Sequence, residues 1–315
     1  MAVFLSASPA LAGFSVRDGK LVDACGDVFL ARGVNLPHAW RARATGKAIR
    51  ETAALGSNTV RVVISDGTRW KRTSPRTVRR IIAKARRAGQ VVILEVHDTT
   101  GYGLEPKAAH IGSAVAYWVS LAPVLRGQED YVLVNIGNEP TAGTSTPSLW
   151  LEAHRTAIVA LRAAGLLHTL VIDGHDYGQD RSGTMRDHAA ELFAADPLKN
   201  VVFDVHMYEV YGRGETVKAY LQAFADQRLP LMVGEFGPDH HGEPVDEDTI
   251  FRLASEMGVG YLAWSWSGNA REVADLDLVQ GFDGSKLTPW GERFFHGPGG
   301  VGETSRRSRV FKGCR

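Results

Sequence analysis

This chain has almost no cysteine: Cys25 and Cys314 are the two among its 315 residues. Two are too few for a disulfide framework, and neither has a second metal-type ligand nearby at zinc spacing. It also lacks an excess of one charge. Lys and Arg number 36, Asp and Glu 35, and the net charge is +1, so no large field favours nucleic acid, an anionic membrane or an acidic substrate. No apolar run approaches the roughly 20 residues of a membrane span. No Gly-rich fingerprint follows the first predicted strand, where Leu36, Pro37 and His38 stand instead. That absence argues against a doubly wound dinucleotide fold.

What is present is ordinary globular composition, 44% hydrophobic and 23% charged, enough for one large core. The two ends read differently from the middle. Residues 2–5 are apolar, and Ala10, Leu11 and Ala12 form a small-x-small pattern before Gly13. Residues 1–12 therefore read as the remnant of a secretory signal without its positive segment. The plainer alternative is an irregular start with a chance match. Near the other end, Gly297, Pro298, Gly299 and Gly300 read as a linker, followed by Arg306, Arg307, Arg309, Lys312 and Arg315. Residues 297–315 are expected to be a solvated basic tail, in which no bridge to Cys314 can be argued.

Between the ends, short apolar runs alternate with helical patterns eight times. The runs cover residues 30–36, 59–64, 91–96, 131–136, 169–172, 201–205, 230–233 and 260–266. Each suits a strand buried on both faces. Val78, Ile81, Ile82 and Ala85 recur at helical spacing, and Gly89 reads as the stop. A second helical stretch covers 151–164 and ends at Gly165. Strand-then-helix repeats imply parallel strands, and eight can close into a (β/α)₈ TIM barrel, a single α/β domain over residues 13–296. Residues 14–29, with turns at Asp18-Gly19 and Gly26-Asp27, predict a short N-terminal β-hairpin that caps the barrel's N-terminal mouth.

In such a barrel the chemistry sits at the C-terminal ends of the strands. Two predicted strands end in a carboxylate, Glu139 after the fourth and Glu235 after the seventh. Three strands apart, they can face each other across the mouth. Glycosidic cleavage requires such a pair, and retention of configuration requires a separation of about 5–5.5 Å. Around them stand Arg61, His97, Asn138, His206, Tyr208, Trp264 and Trp266. Aromatic rings stack on sugars, and polar groups meet hydroxyls. Arg61 beside a carboxylate would keep it ionised, while a more desolvated glutamate would keep its proton. Taken singly, each of these residues is more often packing than function. The joint pattern at six strand ends is what points to a site. Asp239, His240, His241 and Glu243 could be read as a metal cluster, but adjacent loop histidines are not zinc spacing, and a polar loop is the preferred reading.

With these motifs in order, the chain resembles glycoside hydrolase family 5, and within it the bacterial endo-β-1,4-mannanases, from about Phe14 to Phe295. The resemblance rests on Arg61 after Asn58-Thr59-Val60, His97 in Glu95-Val96-His97-Asp98, Asn138-Glu139, His206-Met207-Tyr208, Gly234-Glu235-Phe236-Gly237 and the stretch around Trp264 and Trp266. It implies a secreted enzyme acting alone as a monomer, without cofactor or metal, on a β-mannan polysaccharide. Glu235 would be the nucleophile and Glu139 the general acid/base. Asn138 would meet the 2-hydroxyl, and Arg61 and Tyr208 would orient Glu235. His97, His206, Trp264, Trp266, His38 and Trp40 would line the sugar site. One departure is Pro140, where the mannanases often carry tryptophan; Trp40 or Trp70 would then supply the platform. An endo-β-1,4-glucanase of the same family and a non-catalytic carbohydrate-binding barrel are the alternatives.

Overall fold

The computed structural model describes residues 13–314; the expected signal remnant lies outside the described residues. Strands β1 (Ser15–Arg17) and β2 (Lys20–Val22) pair antiparallel, with Asp18 and Gly19 in the left-handed region at the turn. The barrel strands are β3 (Arg32–Leu36), β4 (Thr59–Ile64), β5 (Val91–Val96), β6 (Val132–Asn135), β7 (Leu170–Asp173), β8 (Val201–Met207), β9 (Leu231–Phe236) and β12 (Gly260–Ala263). They are parallel and close in the order β12-β3-β4-β5-β6-β7-β8-β9. A small antiparallel pair, β10 (Asp239–His240) and β11 (Glu243–Pro244), rises from the loop after β9.

The helices are α1 (His38–Arg41), α2 (Thr45–Ala54), α3 (Pro75–Ala88), α4 (Ile111–Leu125), α5 (Pro147–Ala163), α6 (Thr184–Ala195), α7 (Gly214–Asp226), α8 (Glu247–Met257), α9 (Pro289–His296) and α10 (Val301–Thr304). Local chemistry sets their ends. In α3 the Ser74 hydroxyl accepts from the Thr77 amide, Pro75 opens the first turn, and Gly89 closes the helix at φ 72°. Val78, Ile81, Ile82 and Ala85 are its buried face, as their spacing predicts. Outward-facing strand residues such as Val60, Val62 and Ile64 join these helix faces in the main core.

The barrel interior is two-tiered, and strand alternation builds both tiers. Val91, Ile93, Leu133, Val171, Val202, Met232 and Leu262 fill the lower part, with Phe14 and Phe29 plugging it from below. The N-terminal hairpin thus caps the bottom of the barrel. One inward step higher on the same strands come Glu95, Asn135, Asp173 and Asp204, all fully buried. The floor of the mouth is therefore polar, supported by a dry apolar layer.

The free tail expected after Gly297 is not found. Residues 297–314 run back under the barrel and pack. Val301 is 1% exposed, Arg32 Nε donates to Thr304 Oγ1 at 3.0 Å, Asn58 Nδ2 donates to the Arg306 carbonyl at 2.8 Å, and Ser308 Oγ donates to Asp23 Oδ2 at 2.6 Å. Phe311 packs against the hairpin layer, and Cys314 forms a disulfide with Cys25 across a sequence separation of 289. A basic, Gly-rich composition reads as solvated, because the partners that order it lie at the other end of the chain.

Candidate active site

Strand β6 stops at Asn135, and the next residues turn inward over the mouth. The Asn138 amide donates to the Val96 carbonyl at 2.9 Å. Glu139 follows at φ 41°, a left-handed conformation rare for a residue with a Cβ. Its amide is held by Asp173 Oδ2 at 3.1 Å. Strict alternation would send Asn138 and Glu139 to opposite faces; this turn brings both side chains into the mouth.

Glu235 reaches the mouth by a different device. Along β8 and β9, Val205 pairs with Val233, but His206 pairs with Glu235, so Gly234 is an extra residue. Met232 and Val233 lie on the inner and outer faces respectively. Continued alternation would put Glu235 outside. The bulge resets the phase and aims it inward, as bulges beside active sites do. Only glycine fits at the extra position, because a Cβ there would lie 2.0 Å from Asp204 Oδ2.

Arg61 ties the two devices together. It is fully buried, and all five of its N–H donors have partners. Nε donates to Asn135 Oδ1 at 3.0 Å, Nη1 to Asn35 Oδ1 at 2.9 Å and Glu235 Oε1 at 2.7 Å, and Nη2 to Asn138 Oδ1 at 2.7 Å and Asp173 Oδ2 at 3.4 Å. Tyr208 Oη donates to the other Glu235 oxygen at 2.8 Å. The amide of Asn138 is oriented by its two bonds, from Arg61 and to Thr100 Oγ1 at 2.8 Å. His206 Nδ1 lies 2.7 Å from Glu139 Oε1. Oxygens of Glu139 and Glu235 lie within 4.8 Å of each other, well short of the roughly 6.5–9.5 Å of inverting pairs.

The electrostatics separate the two carboxyls. Burial pushes Glu139 well above the ordinary carboxylate range, reinforced by the charges of Glu235 and Asp173. Burial also raises Glu235, but Arg61, His97 and the Tyr208 hydroxyl pull it back. Glu235 is the one bonded to the guanidinium, so the proton shared by the pair resides on Glu139. Burial opposes the charge on Arg61, yet Glu95, Glu235, Asp173 and Asp204 outweigh it and raise its pKa. Burial, then Arg61, holds His206 well below its usual value, so the ring is neutral. Asp173 is pushed up to about 7 by burial, against the pull of Arg61, Asn135 and the Glu139 amide. Asp204 is raised well above its usual value by burial and by Asp173.

Around the pair lies an open cleft of about 1020 Å³ lined by His97, Asn138, Glu139, Tyr208, Glu235 and Trp264, among others. His97 Nδ1 is held by Glu95 Oε1 at 2.9 Å, and its ring stacks on Trp264 at 5.6 Å and 12°. Trp40 and Trp70 complete this aromatic wall, their centroids 5.4 Å apart and 5.4 and 5.6 Å from His97. The opposite wall is polar, with Tyr177, Gln179, Arg181, Glu209 and His240.

Two expected sugar contacts lie elsewhere. Trp266 is fully buried in the main core beside Phe295. Strand β12 ends at Ala263, so Trp264 and Trp266 lie beyond it and strand alternation does not place them on one face. His38 is buried, bonded to Thr45 Oγ1 at 2.8 Å, and faces a separate groove. The sequence reading missed Asn35, Asn135, Asp173 and Asp204, which sit beneath the pair. The signal for the last three is period two: each is one inward step above a residue of the apolar layer, Leu133, Val171 or Val202. His240 stacks on Tyr208 at 4.4 Å and bonds Glu209 Oε2 at 2.8 Å. Among the described residues, donor atoms near enough to share an ion come from Glu139, His206 and Glu235, or from Asp173, Asp204 and His206, not from the histidine loop. In the first set, Arg61 and Tyr208 already occupy Glu235.

A (β/α)₈ barrel with two inward glutamates of unequal proton affinity, one clamped by arginine, defines a glycoside-cleaving enzyme. The cellulase family, glycosyl hydrolase family 5, matches residues 22–270. The mannan endo-1,4-beta-mannosidase of Cellvibrio japonicus is 46% identical over 313 residues, covering 99% of this chain and 73% of that protein. The mannan endo-1,4-beta-mannosidase of Streptomyces lividans is 47% identical over 98% of this chain and 80% of its own length. The structure of the mannohexaose complex of Thermomonospora fusca beta-mannanase superimposes with a TM-score of 0.92 at 45% identity, covering 95% of this chain and 99% of that one. The chain belongs to glycosyl hydrolase family 5 and is a glycoside hydrolase.

Proposed function

We propose that the protein is a retaining endo-β-1,4-mannanase working by double displacement. The carrying observation is the unequal pair: an oxygen of Glu139, whose proton affinity burial raises, lies within 4.8 Å of an oxygen of Glu235, whose ionised form Arg61 and Tyr208 favour through direct hydrogen bonds. Glu235 attacks the anomeric carbon as Glu139 protonates the leaving oxygen. Glu139, now a carboxylate, then deprotonates the water that releases the sugar. Neutral His206 donates its Nδ1–H to Glu139 Oε1 at 2.7 Å, which leaves the other carboxyl oxygen to give its proton to the leaving oxygen in the first step and to take one from water in the second. The Asn138 amide, fixed by Arg61 and Thr100, presents its remaining N–H to the 2-hydroxyl, the group that distinguishes mannose from glucose.

Cleavage within a chain fits the barrel order. The aromatic wall comes from the loops after β3, β4, β5 and β12, and the polar wall from those after β7, β8 and β9, so recognition groups flank the pair on both sides. Mannan as substrate is supported by the relatives' named activity and by the mannohexaose-bound neighbour. Work outside the cell is supported by the Cys25–Cys314 bridge, which persists in oxidising compartments. Among the described residues no helix is long and apolar enough to cross a membrane. The test is release of reducing ends from galactomannan, glucomannan, cellulose and xylan, with the anomer of the first product followed by NMR. Mannans should be cleaved fastest with β product first; a preference for cellulose or an α product overturns the reading.

A further inference from the structure

The near-zero net charge conceals a strong segregation. Residues 41–88 hold fourteen of the chain's 36 Lys and Arg but two of its 35 acids, Glu51 and Asp66. A groove of about 1260 Å³ opens among these residues, between α1, α2 and α3, and no carboxylate lines it. Its cations are Arg43, Lys71, Arg72, Arg80 and Lys84, with His38 at the base. Arg72 is engaged by the Tyr117 ring and the Asp66 carbonyl. The other four are exposed or near the rim and, among the described residues, pair with no carboxylate. Arg76, Arg80 and Lys84 repeat every four residues along α3, a like-charge spacing that weakens a helix.

A second feature points the same way. Lys84 Nζ lies over the first turn of α2, where a Cβ on Gly46 would meet it at 2.2 Å. That turn has neither an acidic residue nor a side-chain cap. A cation is thus set against the positive end of a ten-residue helix, and among the described residues no carboxylate pairs with it to relieve the repulsion. Burial and Lys84 together hold the pKa of His38 down to about 4, so His38 is neutral and the groove's positive charge comes from its lysines and arginines. Ala39 and Lys71 line the groove and are the chain neighbours of Trp40 and Trp70. The tryptophan pair itself packs against His97 and Trp264 of the catalytic cleft, so the groove lies next to the cleft's aromatic wall.

We propose that this groove binds the carboxylates of an acidic, uronate-containing polysaccharide lying beside the strand being cut, and so holds the enzyme on mixed polysaccharide material. Sugar is favoured over nucleic acid as the polyanion because the groove borders an aromatic, sugar-stacking wall. The probe is polygalacturonate, with its fully methyl-esterified form as the neutral control, in affinity electrophoresis and calorimetry. Polygalacturonate should bind, at least about tenfold more weakly at about 200 mM than at about 50 mM salt, and the ester should not. The double variant R80E/K84E should lose at least about tenfold in that affinity while its kcat/KM on soluble galactomannan stays unchanged. Absence of binding, equal binding of the ester, or undiminished binding by R80E/K84E overturns the proposal. So does equally tight capture of single-stranded DNA through the same two residues.

Discussion

Replacing Tyr208 by Phe removes one oxygen from the site and little else. The ring keeps its place against His240 at 4.4 Å, and Arg61 keeps Glu235 Oε1. What is lost is the buried 2.8 Å bond to Glu235 Oε2. A hydrogen bond to a charged group contributes about 1.5–3 kcal/mol, and each 1.36 kcal/mol is tenfold in rate, so kcat/KM should fall roughly 10- to 150-fold. The bond also favours the ionised form of Glu235. Without it the Glu235 pKa rises, and the acid limb of the kcat/KM profile, which requires Glu235 ionised, should move to higher pH. The assay is initial rate on soluble galactomannan across pH, with thermal unfolding as a control for folding. Activity within about threefold of the parent, or a large loss with an unmoved acid limb, would refute the assignment of Tyr208 as the group that keeps Glu235 charged.

Four further outcomes are expected. With an activated mannoside, azide should rescue Glu139→Ala with retained β product and Glu235→Ala with inverted α product; the same anomer from both contradicts the roles given to the pair. Gly234→Ala forces a methyl to within 2.0 Å of Asp204 and should displace Glu235, lowering kcat about 100-fold or more; near-normal turnover would show the bulge to be dispensable. Asp204 is buried, and neither oxygen closes a hydrogen bond of good geometry, although the Gly234 amide faces it. Its folded pKa is raised, so the native state binds the extra proton and stability falls as pH rises above the unfolded value; Asp204→Asn should therefore gain in Tm over the parent from neutral to alkaline pH, with the gain vanishing near about pH 4. A chain ending at His296 loses buried Val301 and the Cys25–Cys314 bridge, at about 1.5–3 and 2–4 kcal/mol. Calorimetry should show its Tm lowered by roughly 10 °C or more, and a change under about 2 °C would mean the packed tail contributes nothing.

Local pattern determined much of this protein. The spacing of Val78, Ile81, Ile82 and Ala85, with Gly89 behind them, defines α3 because helix period and chain reversal are nearest-neighbour physics. Eight such strand–helix units leave few topologies, and the barrel rule then puts chemistry at the strand ends, so the sequence alone singles out Glu139 and Glu235. The same alternation that places Val91 and Ile93 in the apolar layer places Glu95 above them. Other features depend on atoms far apart in sequence. The bulge at Gly234 exists because β9 pairs with β8, and without it Glu235 would point away from the mouth. The left-handed turn at Glu139 is held by Asp173, at the end of the next barrel strand. Arg61 acquires meaning only when Asn35, Asn135, Asn138, Asp173 and Glu235 converge on its five donors. Trp266 went to the core because β12 ended before it, His38 turned to another groove, and the basic tail found Asp23, Asn58 and Cys25 at the opposite end of the chain. A net charge of +1 is a sum over the chain, blind to position, and only the packing of α1, α2 and α3 gathers the unpaired cations into one groove.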